Sequence, residues 1–382
     1  MKCWIKTAAA LAVSVSLVGC GMFSSEETVE PNPLVAFEAE QQLQQLWSLS
    51  TGGSLGKKFH QLVPSIDGEQ IFAVNAQGDL VAADLSTGRV NWRVNLKTAI
   101  GGGVGAGNGL AVIATESGVV MAFDAQDGSE RWRYQATAEV ISQPQMNAEL
   151  VVVQQLDGKI TALDVRTGER RWSYDSQIPR LSLRGTSAPI VAADLTLAGF
   201  ANGKLVAVEN QSGRPVWEQR VALAEGRTEL ERIVDIDGKP LVYNRLVYVG
   251  SYQGRLVALN PGNGQVVWSQ DLSTYRGLAG GFGNVYAISD EDHVHAFDAR
   301  NSASVWSQDA LQYRRLTTPV VMGNSLLTAD AEGYLHVMSQ VDGHFTARHR
   351  VSSSGVQSDL LVRNDVLYVL SNDGRLTALK FK

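Results

Sequence analysis

Residues 158–172 read GKITALDVRTGERRW, with Gly158 first, Asp164, Thr167 and Gly168 in the middle, and Trp172 last. The same phrase recurs along the chain. Gly78 stands to Trp92 as Gly158 stands to Trp172, and the offset is kept from Gly118 to Trp132, Gly203 to Trp217, Gly254 to Trp268 and Asp292 to Trp306. The common pattern is G-x-Φ-x-A-Φ-D-x-x-T-G-x-x-x-W, where Φ is apolar. A period of about 40 residues with strand-like content is the mark of a repeat architecture, in which each unit buries its apolar face only against its neighbours.

The frame extends backwards. Pro64, Pro144, Pro189, Pro240 and Pro319 precede Gly78, Gly158, Gly203, Gly254 and Gly333 by one constant offset, and Val104, Leu278 and Leu360 hold the Pro place in the other units. Two further units, whose glycines are Gly333 and Gly374, lack the Trp, which makes eight. Each unit reads as four short strands; in the third they are expected near 141–145, 150–155, 160–165 and 170–174. Ile160, Ala162 and Leu163 interleaved with polar residues, and the apolar run at 150–153, fit half-buried antiparallel strands. The D-x-x-T-G is a tight hairpin, its acid accepting from backbone and its glycine taking positive φ. The last unit stops before its fourth strand, and Trp47 supplies it, because Trp47 precedes Pro64 as Trp172 precedes Pro189. The expectation is an all-β, eight-bladed β-propeller of four-stranded antiparallel blades, closed by an N-terminal strand around 42–49 that leaves no open sheet edge. Trp47, Trp92, Trp132, Trp172, Trp217, Trp268 and Trp306 are expected to pack blade against blade.

Of the 382 residues, the repeats take roughly 340, so one ring accounts for the length. Net charge is −6, or −8 without Lys2 and Lys6, and no basic cluster suits nucleic acid. Lys2 and Lys6 flank an apolar run at 8–18, too short to span a membrane. It ends in Leu17-Val18-Gly19-Cys20, which resembles the bacterial lipobox. That resemblance implies a signal peptide over 1–19 and lipidation of Cys20, and Gly21 in place of Asp implies sorting to the outer membrane. Residues 20–37 are expected to be a flexible tether, with the propeller over 38–382. Such a tether reaches about 55 Å when stretched and roughly 20–25 Å as a coil. Cys3 and Cys20 are the only cysteines, so the processed chain has no disulfide, CxxC pair or cysteine zinc site.

The repeated A-x-D-x-x-T-G-x-x-x-W resembles the tryptophan-docking motif of the pyrroloquinoline-quinone (PQQ) propeller superfamily. One branch of it is the quinoprotein dehydrogenases. The other is the BamB family of lipoproteins, which belongs to the outer-membrane β-barrel assembly (BAM) machinery. Lipobox, size and eight repeats resemble the second branch over essentially the whole chain. A quinone dehydrogenase needs a carboxylate base and calcium beside the quinone, and its relatives carry a vicinal cysteine pair, which the processed chain lacks. Asp84, Asp124, Asp164, Glu209 and Asp298 share one hairpin position with Asn260, Ser339 and Lys380, so they read as turn residues rather than catalytic acids. His293 and His295 form an H-x-H, and His336 matches His295 in the next unit, but no third metal ligand is placed. The glycine-rich stretch at 101–109 opens no helix and carries no phosphate-loop Lys, so it reads as a flexible blade connection. The expectation is a protein without catalytic residues, cofactor or metal. The alternatives are a PQQ-dependent periplasmic dehydrogenase and a binding propeller for another envelope partner.

The unit core never changes length, so variation collects in one class of connection, the step from each Trp to the next Pro position. It is shortest from Trp268 to Leu278 and longest from Trp217 to Pro240, with Trp47 to Pro64 and Trp172 to Pro189 next in length. Repeat proteins place such insertions on the binding face. The two long connections flanking the fourth unit hold Leu181, Leu183 and Arg184 in one, and Asp235 and Asp237 in the other. Leu181 and Leu183 alternate around Ser182, as Asp235 and Asp237 do around Ile236, and apolar anchors with an Arg and a rim of acids suit a protein interface. Equally, the leucines can pack under their own loop, with Arg184 paired to Asp235 or Asp237. The resemblance implies that these five residues contact BamA, the barrel-bearing subunit, through a POTRA domain, and through it the other BAM lipoproteins. Exposed blade edges offer a place for unfolded outer-membrane proteins.

Overall fold

The computed structural model describes residues 30–56, 62–179, 181, 182, 185 and 187–382. The expected signal peptide, Cys20, the tether up to residue 29, Leu183 and Arg184 lie outside the described residues. Eight four-stranded antiparallel sheets follow one another along the chain, the first seven running from inner to outer strand in sequence order. The eighth takes its outer strand from Leu43–Ser50, which pairs with Arg375–Phe381 from Leu43 opposite Phe381 to Ser50 opposite Arg375. The expected closure by the N-terminal strand is therefore present.

In the third blade the strands are Gln145–Met146, Leu150–Gln154, Lys159–Asp164 and Arg170–Asp175. Three match the expectation closely, and the innermost begins later, at Gln145 rather than Ile141. The reason is crowding at the ring axis. Backbone of residues 140–144 runs against Gly101, Gly102 and Gly105, where an added Cβ would sit 2.2, 2.2 and 2.1 Å from the carbonyl oxygens of Val140, Ser142 and Pro144. The stretch read as a flexible connection is thus packed tightly against the neighbouring blade, and Gly105–Gly107 is the inner strand of blade 2.

The hairpin between third and fourth strands follows the reading. Asp164 Oδ1 accepts from the amides of Arg166 (2.9 Å) and Thr167 (3.0 Å), and Gly168 takes φ +72°. Each such hairpin adjoins a bulge, beside which an Ala faces the Trp across the strands, as Ala162 faces Trp172 and Ala207 faces Trp217. The small partner leaves room for the indole to lean out towards the next blade. There its Nε1 donates to a hairpin carbonyl: Trp92 to Ala125 (2.9 Å), Trp132 to Val165 (3.0 Å), Trp172 to Asn210 (2.6 Å). Trp217, Trp268 and Trp306 do the same to Pro261 (2.9 Å), Ala299 (2.9 Å) and Gln340 (3.1 Å), and Trp47 reaches Leu85 (3.2 Å) across the closure. The ring face lies on the hairpin glycine, except for Trp268, whose receiving hairpin has Ser302 (φ +61°) in that place. A Cβ at Gly168 would be 2.6 Å from Trp132, and at Gly88 2.5 Å from Trp47. Buried clusters accordingly mix adjacent blades, as where Val112, Val120 and Trp132 meet Val151, Val153 and Leu163.

The described part of the expected tether reaches the ring as well. Phe37 stacks on Phe345 of blade 7 with centroids 5.5 Å apart, so contact with the propeller begins before the expected boundary at 38.

Two glycines separate the docking from backbone strain. Gly109 and Gly168 share φ +72°, but only Gly168 faces an indole; a Cβ at Gly109 meets nothing within 4 Å. Gly109→Ala should cost about 1–2 kcal/mol for the left-handed backbone alone. Gly168→Ala should lose at least ~2 kcal/mol more from overpacking. Urea unfolding of the two variants decides it, and equal losses would remove the docking contact from the account.

Candidate functional site

The connections between blades emerge on one face, where they meet the turns joining second and third strands. The Ser176 amide donates to Gly158 carbonyl (3.0 Å) and the Val221 amide to Gly203 carbonyl (2.8 Å). On this face stand the two long connections that flank blade 4. The second starts from buried Val221 and Ala222, swings outward over 223–232, and returns through Val234, Asp235 and Ile236, all buried. Its outer loop is organised by a reciprocal pair. Glu231 Oε2 accepts the amides of Arg227 (2.6 Å) and Thr228 (3.3 Å), while the Glu231 amide donates to Thr228 Oγ1 (3.2 Å). This is the bonding of a capping box, used here to hold a turn. It presents Leu230, 68% exposed, beside Leu223 at 53%.

The returning strand is locked in place. The Tyr252 amide donates to Asp235 carbonyl (2.8 Å), and Ile236 fills the space over Gly199, where a Cβ would lie 2.3 Å from its Cγ2. The two connections then meet. Ser187 Oγ donates to Gly238 carbonyl (3.0 Å), and a Cβ at Gly185 would sit 2.2 Å from Asp237 Oδ1. Of the residues singled out in the sequence, Leu181 is exposed at 45%, whereas Asp235 is 1% exposed. Asp237 is half-buried beside Gly185. The expected alternation of the two acids around Ile236 is real, but both point inward rather than forming a rim. Leu223 and Leu230 escape a sequence reading because neither alternates with a partner; the T-x-x-E at 228–231 is the signal that marks their loop.

Burial governs the chemistry of the acid pair. Desolvation, with Asp237 nearby, pushes the Asp235 carboxyl up to about 9. Asp237 rises to about 7, again through burial, with the Arg276 guanidinium opposing the shift. Asp235 Oδ2 and Asp237 Oδ1 have no hydrogen-bond partner among the described residues. At neutral pH Asp235 therefore carries its proton.

Beside Asp237 opens a cavity of about 580 Å³, ringed by inner strands and lined by Gln143, Gln145, Lys239, Tyr275 and Asp359 among others. Lys239 Nζ donates to Gln145 Oε1 (2.8 Å), joining the start of blade 5 to blade 3. Among the described residues no group of three or more His, Cys, Asp or Glu is placed to hold a metal ion. His336 is instead bonded to Asp330 (2.8 Å) inside blade 7.

A family model described as outer membrane protein assembly factor BamB matches residues 76–308. The outer membrane protein assembly factor BamB of Pseudomonas aeruginosa is 50% identical over 373 residues, covering 98% of each chain. The chain belongs to the BamB family. The crystal structure of BamB from Moraxella catarrhalis superposes with a TM-score of 0.81 at 30% identity, covering 89% of this chain and 100% of that one. A quinohemoprotein alcohol dehydrogenase from Comamonas testosteroni matches with a TM-score of 0.71 at 13% identity, over 88% of this chain and 76% of its own. That second likeness shows a shared fold alone. Family membership makes the chain an outer membrane protein assembly factor and not an enzyme, and sets aside the dehydrogenase alternative. It implies a place in the BAM machinery and a role in outer-membrane assembly.

The acid pair gives a pH signature. An aspartate whose pKa is raised in the folded protein favours folding fully below its unfolded value near 3.9, and loses that contribution as pH climbs through the folded value. For Asp235 the loss runs from about pH 4 to about 9. Asp235→Asn should therefore gain stability relative to the parent between pH 5 and pH 9, by more than ~1 kcal/mol. Thermal unfolding across that range checks it, and parallel curves for the two proteins would refute the burial argument.

Proposed function

We propose that this BamB-family chain is a scaffold lipoprotein on the periplasmic face of the outer membrane. Cys20 carries its lipid. The connections flanking blade 4 dock POTRA domains of BamA, and through BamA the protein joins the other BAM lipoproteins. Its task is to assist folding and insertion of outer-membrane β-barrel proteins. The observation that carries the reading is the position of three exposed leucines, Leu181, Leu223 and Leu230, on two adjoining connections of one face. Exposed apolar anchors on a preorganised loop are what a protein interface uses for most of its binding energy.

In this reading Leu181, Leu183 and Arg184 touch the partner from the first connection. An Arg fork suits a carboxylate on the partner. Asp235 and Asp237 act through the connection they belong to, whose outer turn carries Leu230. Several lipid chains on Cys20 would hold the propeller durably, where a single chain binds weakly. A second contact is favoured by the outer strands of blades 4 to 6, which expose Val216, Val266, Val267 and Val305. Extended apolar segments of unfolded barrel proteins fit such edges.

Co-purification from gently solubilised envelopes should recover BamA with the tagged protein. Leu181→Ala with Leu230→Ala should raise the Kd for the periplasmic part of BamA about tenfold or more, as loss of interface anchors does. Leu183→Ala with Arg184→Ala should act in the same direction. Neither pair should shift the unfolding midpoint. Unchanged binding by both pairs would take the interface away from this face.

A further inference from the structure

Blade 7 departs from the docking rule, and a segment from the other end of the chain lies along its outer strand. Ala347, 2% exposed, stands where other blades carry Trp, and Val337 faces it in place of the usual Ala. Blade 8 has no hairpin joining its third and fourth strands to receive an indole, because its fourth strand is Leu43–Ser50. Instead, residues 32–41 run along the outer strand of blade 7, Phe345–Arg350, in the opposite direction. The Asn32 amide donates to Gln312 carbonyl (3.0 Å), and Arg314 Nη1 donates to Asn32 carbonyl (2.8 Å). Arg348 Nη1 donates to Val35 carbonyl (2.8 Å), and the amides of Glu40 and Gln41 both donate to Thr346 carbonyl (2.9 and 3.1 Å). Phe37 lies between, stacked on Phe345 under the Arg348 guanidinium, 4.9 Å from its centroid. His344 bonds to both Glu40 (3.0 Å) and Asp342 (2.6 Å).

The arginines that grip this segment are parts of a buried network. The Arg314 side chain is 3% exposed; its Nε bonds Asp330 (2.8 Å), a second nitrogen meets Glu332, and Asp330 also bonds His336 Nε2 (2.8 Å). If the segment left, Arg314 would lose the acceptor of one N–H in a site with little water, a loss that resists opening. The path has a direction. Gln312 belongs to the connection between blades 6 and 7, beside the turn holding Glu291, whose carboxylate accepts from the Gln312 amide group (3.3 Å). That is the face carrying Leu181, Leu223 and Leu230. Thr346 and His344 lie at the hairpin end of the blade, on the opposite face.

We propose that residues 32–41 form a clamp that fixes the exit of the N-terminal attachment on the loop face, holding that face towards the phospholipid surface. The orientation rests on the reading that Cys20 is lipidated; the clamp itself does not. The chain from Cys20 to Asn32 reaches about 40 Å at most when extended. A free tether leaving at residue 38 would let the ring tumble; a clamped one leaves the loop face nearest to the membrane.

The test uses the full-length lipidated protein on phosphatidylethanolamine–phosphatidylglycerol vesicles. A donor dye is placed on Glu225→Cys in the long connection, or on Gln211→Cys in a hairpin of the opposite face, with acceptor dye in the lipid. The Glu225→Cys label should transfer energy more efficiently than the Gln211→Cys label, and Phe37→Ala with Glu40→Ala should erase the difference. In parallel, the Glu40 and Gln41 amides should exchange at least about tenfold more slowly in the parent than in that double variant. Equal exchange would overturn the clamp, and equal transfer from both labels on vesicle-bound protein would overturn the orientation. Failure of the protein to float with vesicles would instead overturn the anchoring reading and the orientation with it, while exchange still decides the clamp.

Discussion

The ring depends on one contact repeated seven times: an indole on the outer strand of each donor blade docks on the third-to-fourth hairpin of the next. The contact has three parts that the sequence must supply together. An Ala opposite the Trp gives the indole room, as Ala258 does for Trp268. A hairpin residue at positive φ on the neighbouring blade, glycine in every contact but that of Trp268, gives it a flat seat, as Gly264 does for Trp217. The carbonyl following the first hairpin residue, an acid in most blades, gives Nε1 an acceptor, as Ala299 does for Trp268. An aromatic side chain removes roughly 150–250 Å² from water, and its N–H needs a partner when buried. Since each strand-hairpin-strand unit carries both the Trp it donates and the hairpin it offers to its neighbour, the Gly-to-Trp spacing is kept, whereas the connection to the next blade is free of the constraint.

That division explains what was legible and what was not. The blade count, the closure by Leu43–Ser50 and the seating of the tryptophans follow from local pattern, because docking uses residues at set offsets in adjacent repeats. The inner strands were read less well. Gly101–Gly105 looked mobile on composition, yet its glycines are required by backbone of the next blade arriving within contact distance, which no periodicity within the stretch reveals. Asp235 and Asp237 looked like a rim of acids on their alternation. Their burial follows from Ile236 packing on Gly199 and from the first connection meeting the second at Gly185 and Ser187, contacts between loops of unrelated sequence. Leu181, for which the sequence left both display and packing under its own loop open, is exposed, while Leu230 depends on a turn held by Glu231.

Blade 7 shows the same logic in its exception. Where the next blade has no hairpin, the indole would have no seat and no acceptor, and Ala347 replaces it. On the blade 6 side of the same outer strand Phe37 packs on Phe345, and Arg314 and Arg348 grip the segment that carries it. The irregular unit is thus the junction where the ring meets the chain that precedes it, and its irregularity is a consequence of closing the ring with a strand from far away in sequence.

The long connection after blade 4 combines two properties that pull against each other. Its outer turn displays leucines to water, and its return strand buries two carboxyl groups without hydrogen-bond partners for Asp235 Oδ2 and Asp237 Oδ1 among the described residues. Neither property stabilises the ring. A loop serving only to join two blades needs no more chain than runs from Trp268 to Leu278. What the extra length does achieve is an outer turn held from both ends, since Val221 bonds Gly203, Asp235 bonds Tyr252 and Gly238 bonds Ser187 of the neighbouring connection. A partner docking there would meet apolar anchors already in place, so little conformational entropy remains to be lost on binding. The propeller holds that platform still because each blade is seated on the next, and the connections are the one part of the repeat that docking leaves free to differ.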